Sequence, residues 1–413
     1  MSRVLSTDFI SLNAKQTATA LPPAGRFALA AALCSSLGQT FFIGLFGAEF
    51  RAEFDLSQSV LGALYGSATL ASGLLMFWLG SLADHWSMRR SIATVLCGLA
   101  LGAWLVSLAH GLLGLVVGLF LLRLCGQGLA GHLAVVAAAR YASRRGRAVA
   151  MVSYGFILGE AMLPALVALS MESLSWRGVW LLAALITIGV ALPVLVWLAW
   201  PLTHPRVLRD ADTSAVSPAV MTRRKLFTQA SFLRVLAIVL VPPVVVTAVF
   251  LHQGTIARML SWDLADVASG FVLFAGIQGL FAFAGGRVID RFSARVLIRY
   301  SLLPAGLGLL SLSILSPAAS LWALFAGVGM TAGLNGVITG AVWVELFGSA
   351  QLGLIRGVYS ALMVVSTALG PVALGLLLDW QVSLLSMALA YLAYALIIPA
   401  LLLPGLRVIS DPA

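Results

Sequence analysis

The chain alternates long apolar runs with short polar breaks. Runs free of turn-forming clusters cover 27–50, 60–83, 92–109, 112–139, 148–171 and 179–200, then 235–256, 267–289, 296–315, 321–344, 354–378 and 383–403. Each is close to the roughly 20 residues that a helix needs to cross the hydrocarbon layer. The pattern predicts twelve spanning helices in two sets of six. Between the sets, 201–234 collects His204, Arg206, Arg209, Asp210, Asp212, Arg223, Arg224 and Lys225 with Pro201, Pro205 and Pro218, and reads as a cytoplasmic linker. Residues 1–26 carry Arg3, Asp8, Lys15 and Arg26 among Ser and Thr. The apolar run that follows them is too long for a signal-peptide core, so they read as a retained cytoplasmic tail, as do residues 404–413.

Composition agrees with lipid as the solvent. Of the 413 residues, 61% are hydrophobic and 10% charged, against about 45–50% and about 25% in soluble domains. The formal net charge of +10 would suit nucleic acid, but the positions of the charges argue against it. With the N-terminus inside, 21 of the 25 Lys and Arg fall on cytoplasmic segments, only Arg51, Arg177 and Arg258 fall outside, and Arg123 alone lies within a span. That asymmetry orients a membrane protein with both termini cytoplasmic, and anionic headgroups are its electrostatic partner. Cys34, Cys97 and Cys125 sit in apolar runs without a C-x-x-C or a ligand cluster, so neither a disulfide framework, a metal nor a cofactor is expected.

The chain also repeats itself. Gly80-Ser-Leu-Ala-Asp84-His85-Trp86-Ser87-Met88-Arg89-Arg90 follows the second helix, and Gly286-Arg-Val-Ile-Asp290-Arg291-Phe292-Ser293-Ala294-Arg295 follows the eighth, at an offset of 206. Pro164 and Pro371 stand 207 apart in the fifth and eleventh helices. Such spacing marks two parallel six-helix repeats. A glycine, an aspartate four residues on and then arginines, placed twice at these loops, resembles the major facilitator superfamily from about residue 27 to 403. Arg123-Leu-Cys-Gly126-Gln127-Gly128 is similar to its R-x-x-G-x-G pattern in helix 4, and Gly155-x-x-x-Gly159 to its G-x-x-x-G-P in helix 5. The chain departs from the family at His85, Ser87 and Met88, and at Glu160 in place of that proline. The resemblance implies an all-helical membrane fold with two bundles, 27–200 and 235–403, around a central cavity. It also implies a cytoplasmic gate built from Gly80, Asp84, Arg89, Arg90, Gly286, Asp290 and Arg291.

Ionisable groups in hydrocarbon cost about 2.5–3.5 kcal/mol on insertion scales, so each calls for a reason. Arg123 and Glu160 each lie 11 residues from the outer end of a run, about 16 Å deep, on adjacent antiparallel helices. They are expected to form a buried ion pair, either a switch that a proton or an anionic substrate opens, or a permanent lock between helices. Gln127 shares a helix face with Arg123, whereas His132 points the other way and serves packing or a proton relay. Gln39 and Thr40 in the first helix and His252 and Gln253 beyond Pro242-Pro243 in the seventh are candidates for substrate contact or interhelical bonding, Tyr65 and Gln278 are candidate cavity groups, and Asn335, among Gly329, Gly333, Gly336 and Gly340, is expected at a close backbone packing, with the solute pathway as the alternative. At the inner edge Arg140 is the expected partner of Asp84, and Arg287 and Arg291 those of Glu345.

The expected function is a secondary transporter that moves a small solute by alternating access, acting as a monomer in a bacterial cytoplasmic membrane. No G-x-x-x-x-G-K-[S/T] loop provides for ATP, so the energy is expected from a gradient, a proton being favoured by Glu160. Arg123 favours a small organic anion such as a monocarboxylate. The alternatives are proton-driven export of hydrophobic compounds and a non-transporting sensor. No G-x-S-x-G or H-E-x-x-H motif points to an enzyme.

Overall fold

The computed structural model describes residues 22–142, 145–202, 222–348 and 352–404, so most of the tails and of the linker lie outside it. The described residues are helical throughout. We label the long helices α1 (Pro23–Gly44), α2 (Gln58–Leu79), α3 (Met88–Ser107), α4 (Leu112–Tyr141), α5 (Arg147–Met171), α6 (Trp176–Leu198), α7 (Ala230–Leu251), α8 (Leu264–Phe292), α10 (Pro317–Phe347), α11 (Leu352–Asp379) and α12 (Leu384–Leu402), with the shorter α9 at Leu303–Ile314. Eleven are long and apolar enough to span, one fewer than the sequence pattern predicts. The ninth run is interrupted: Ser293 ends α8 at φ 68°, Ala294–Leu297 makes one turn, and Pro304, which has no N–H to give, starts a helix of 12 residues.

Polar residues just before the apolar runs start the helices. Ser57, Ser87, Ser175, Ser316 and Ser383 each accept a backbone N–H three residues on, and Asp263 forms a reciprocal capping box with Asp266. Once formed, the helices bury small residues against one another and turn large ones outward. Phe77, Trp78 and Leu401 are 68%, 69% and 69% exposed, as suits side chains solvated by lipid.

Among the described residues two hydrophobic clusters fill the interior, and they divide unequally. The larger runs from the N-terminal half, α1–α6, into the C-terminal half, α7–α12, at the end of the molecule that carries Asp379. There Phe41 of α1 lies 5.6 Å from Phe271 of α8, which in turn packs at a tilt on Phe250 at 4.9 Å and edge-on to Phe325 at 5.0 Å. The smaller cluster, built on Phe232, Trp343 and Ile338, stays within the C-terminal half toward the end that carries Asp84. The halves are therefore fused at one end only.

Candidate functional site

Arg123 sits where two helices lose their regular form together. α1 tightens to a 3₁₀ turn at Ser36–Gly38 and then extends at Gln39 (φ −82°, ψ 154°), which leaves the Gly38 carbonyl without a helical partner. Opposite it, α4 widens to a π-helix over Leu122–Ala130. A Cβ on Gly126 would lie 2.7 Å from Gly38 Cα, so only glycines let these backbones approach. Arg123, 3% exposed, fills the breach: Nη1 donates to Gly38 O at 3.1 Å and Nε to Thr69 Oγ1 at 3.0 Å. Its guanidinium carbon lies 5.0 Å from the Tyr65 ring centroid, and the Tyr65 hydroxyl bonds Thr40 Oγ1 at 2.6 Å. Among the described residues, Nη2 of Arg123 and the side chains of Gln39 and Gln127 have no hydrogen-bond partner, and Gln127 Oε1 is buried.

Glu160 is not the partner of Arg123. Its Oε2 accepts from Gln278 Nε2 at 2.9 Å, a bond that crosses from α5 in one half to α8 in the other. The expected ion pair fails because α1 lies between the two helices at this depth. Gly126 of α4 abuts Gly38, while a Cβ on Gly159 of α5 would meet the Ser36 Cβ at 2.7 Å. Neighbours in sequence are thus separated by the first helix of the bundle.

The Asp379 end is held shut by polar bonds between the halves. The Asp379 carboxylate, at the C-terminus of α11, accepts the backbone N–H groups of Gln58 and Ser59, each at 2.9 Å, and so caps the N-terminus of α2 from the opposite half. Gln253 Nε2 donates to Phe41 O at 2.9 Å. His252, 1% exposed, places Nε2 2.8 Å from Pro371 O and Nδ1 3.2 Å from the Gln58 amide. Glycines bring the backbones into contact here: a Cβ on Gly62 would lie 2.5 Å from Pro371 O, and one on Gly66 2.7 Å from Ala368 O. Sequence reasoning missed Asp379, since a lone acid at a helix end carries no signal of a partner some 320 residues away.

At the Asp84 end the polar bonds among the described residues stay within a half. Asp84 pairs with Arg140, whose guanidinium holds the carboxyl below the usual carboxylate range. His132 Nε2 lies 3.0 Å from Gly80 O. The Glu345 carboxylate meets Arg295 Nε at 3.5 Å and accepts Ala294 N–H at 2.7 Å, in place of the expected Arg287 and Arg291. Those two stack on Phe283 and Phe292, as Arg89 and Arg90 do on Trp200 and Trp86. Asp290 is exposed and makes no ion pair among the described residues, so the two loop copies differ in use. Gly286, Gly336, Gly340, Gly353 and Gly357 face open space, and Met76 and Phe77 of α2 line a cavity of about 420 Å³ with Gly357 and Ser360 of α11, beside the point where Gly73 packs against Val364. Asn335 is joined by Tyr359, while its neighbours Gly329 and Gly333 pack on α8.

The whole arrangement can be compared with known proteins. The sequence profile of the Major Facilitator Superfamily matches residues 28–255 and again 243–409. No curated protein matches the chain in sequence. Two crystal structures of the nucleoside transporter NupG superpose with TM-scores of 0.70 and 0.68 at 12% and 14% identity, covering 91% of this chain and 97% and 98% of theirs. A bacterial homolog of the human lysosomal transporter Spinster, inward-facing and unoccupied, superposes with a TM-score of 0.64 at 16% identity, covering 93% of this chain and 88% of its own. At such identities the likeness concerns the fold, and the two profile matches carry the family: this chain is a member of the major facilitator superfamily, an all-helical secondary transporter rather than an enzyme.

Proposed function

We propose that this transporter is proton-coupled, that Glu160 is its proton site, and that its solute is a small organic anion. The observation that carries the first two points is the Glu160–Gln278 bond across the halves. An amide donor bonds an ionised carboxylate more strongly than a neutral acid, so a proton on Glu160 loosens one tie between bundles that must rock against each other. The basic asymmetry favours a cytoplasmic Asp84 end, and this state then opens inward.

The anion reading rests on Arg123. Its charge has no carboxylate partner among the described residues, and its free Nη2 lies in the region of the unspent Gln39 and Gln127. A monocarboxylate of a few carbons matches one guanidinium edge and two amides. Proteoliposomes given a panel of labelled monocarboxylates and lipophilic cations, with and without a pH gradient, test the proposal. One proton per solute allows about tenfold accumulation per unit of gradient. Glu160→Gln should keep solute exchange and lose that accumulation. Accumulation by Glu160→Gln at the wild-type level contradicts the proton site, and transport of cations alone contradicts the anion.

A further inference from the structure

The short helices that follow the first helix of each half meet at the closed end and leave a pocket beside their contact. Gly47–Phe54 follows α1, and Gln253–Met259 follows α7. A Cβ on Gly254 would come within 3.3 Å of the Ala48 Cβ, so small residues let the two helices touch. Next to that contact lies a cavity of about 200 Å³, well above the roughly 10–15 Å³ that one water needs. Glu49 lines it from the N-terminal half, and Gln253, Arg258, Trp262 and Asp263 line it from the C-terminal half. Arg258 and Asp263 are exposed, Glu49 is half-buried, and Gln253 and Trp262 are buried, so the pocket has a wet rim and a dry floor.

Its polar groups are left unspent. Gln253 is 5% exposed, and its Nε2 donates to Phe41 O, which can only accept. That bond fixes the amide, so Oε1 is an acceptor, and it has no partner among the described residues. Glu49 Oε2 is likewise buried without a partner. Two buried acceptors, one of them on a carboxylate, are costly unless a donor arrives. Arg258 acts on Glu49 through space but makes no ion pair among the described residues. The Asp263 carboxylate is committed to the capping box of α8.

Oppositely charged groups that share a pocket without touching call for a ligand that carries both charges. An ammonium has three donors and no acceptor, which suits Glu49 and Gln253, while a carboxylate takes the fork of Arg258. An anion alone meets two acids against one base, and an amine alone leaves Arg258 unpaired. The remaining walls, Leu45, Leu264 and Val267 with the Trp262 ring, are apolar and suit an aliphatic side chain. Arg123, Gln39 and Gln127 do not line this pocket.

We infer that the pocket binds a small zwitterion, an α-amino acid with an aliphatic side chain, and that the bound ligand holds the Asp379 end shut. Its partners come from both halves, so the site is complete only while the halves touch. A ligand that prefers one state shifts the equilibrium toward it by its differential affinity. The effect rests on the alternating-access reading in taking that end as a gate. The binding does not, and neither depends on Glu160 or on the identity of the solute.

The test uses the full chain in nanodiscs with leucine as the probe, beside isopentylamine and isocaproate, which each lack one of its charges. Calorimetry should show saturable leucine binding, weakened by about tenfold or more when either charge is missing, and equally in E49Q and R258Q. The absence of saturable leucine binding, equal binding of isocaproate, or wild-type affinity in both variants overturns the inference. Photo-leucine, its diazirine analogue, gives an answer even where a variant does not fold. Crosslinks within 45–49 and 253–267 support the pocket, and crosslinks only outside those segments refute it. Spin labels at S173C and A318C, on opposite halves of the closed end with the three native cysteines replaced by alanine, report the closed fraction. G62L wedges the halves apart at the Pro371 carbonyl, so its apparent affinity for leucine should fall in proportion to its closed fraction. Unchanged affinity in an opened G62L, or a distance that leucine lengthens, overturns the effector role.

Discussion

The two ends of this transporter are built from similar side chains put to opposite use. At the Asp379 end, Asp379, Gln253, His252 and Thr255 of the C-terminal half bond to Gln58, Ser59, Phe41 and Arg51 of the N-terminal half. At the Asp84 end, Asp84 with Arg140, His132 with Gly80 and Glu345 with Arg295 bond within a half. The glycines repeat the contrast, since Gly62 and Gly66 touch the other half while Gly336 and Gly340 face open space. The difference teaches that a gate is defined by which half supplies the partner, not by the residue types present. Only bonds between halves resist rocking.

The largest effect should come from adding volume where the halves touch. Gly62→Leu drives a side chain into the Pro371 carbonyl, and overpacking of about 3 kcal/mol disfavours closure roughly hundredfold. Transport in proteoliposomes should fall by a similar factor while the protein still folds. Asp379→Ala removes a charged cap that α2 receives from the other half. Loss of a cap costs about 0.5–2 kcal/mol, so closure of that end should weaken about tenfold, read as faster labelling of a cysteine at Ser59. Arg123→Lys keeps the charge but loses the fork that serves Gly38 and Thr69 together. It should lower stability by about 1–2 kcal/mol in a thermal melt, because the Gly38 carbonyl is left buried without its donor.

Asp84→Asn sharpens the comparison from the weak side. The pair with Arg140 is exposed and lies within a half, so turnover should slow a few-fold, about threefold, with little change in apparent affinity. A pure loss of affinity contradicts a gate role. Its pH dependence should be flat over the physiological range. Arg140 lowers the Asp84 value, so the pair is present above the ordinary carboxylate range and is lost only as pH falls through the lowered value.

Much of the fold was legible because the features that specify it are periodic or repeated. Apolar runs mark helices, and the second copy of the Gly80 and Asp84 loop marks the repeat. The Asp84–Arg140 contact was legible too, since both residues lie at helix ends on the same edge. The centre was harder. Arg123 and Glu160 stand at equal depth on consecutive helices, yet the 3₁₀ turn at Ser36–Gly38 places α1 between them. That interposition depends on close glycine packing among three helices, which has no linear signature. The Asp379 cap was hidden for a related reason: the donors it accepts from are the N–H groups of a helix end, and backbone carries no residue code. Gln278 was in view as a cavity residue, but its partner in the other half was not.

The central claim is that closure at the Asp379 end and opening at the Asp84 end are two sides of one rocking motion. Gly62→Leu, spin-labelled in turn at S173C with A318C and at H85C with R299C, tests it most directly. The account predicts that the wedge lengthens the first distance and shortens the second in the same sample. A lengthened first distance with an unchanged or longer second one would show that the ends move independently, and would contradict the account.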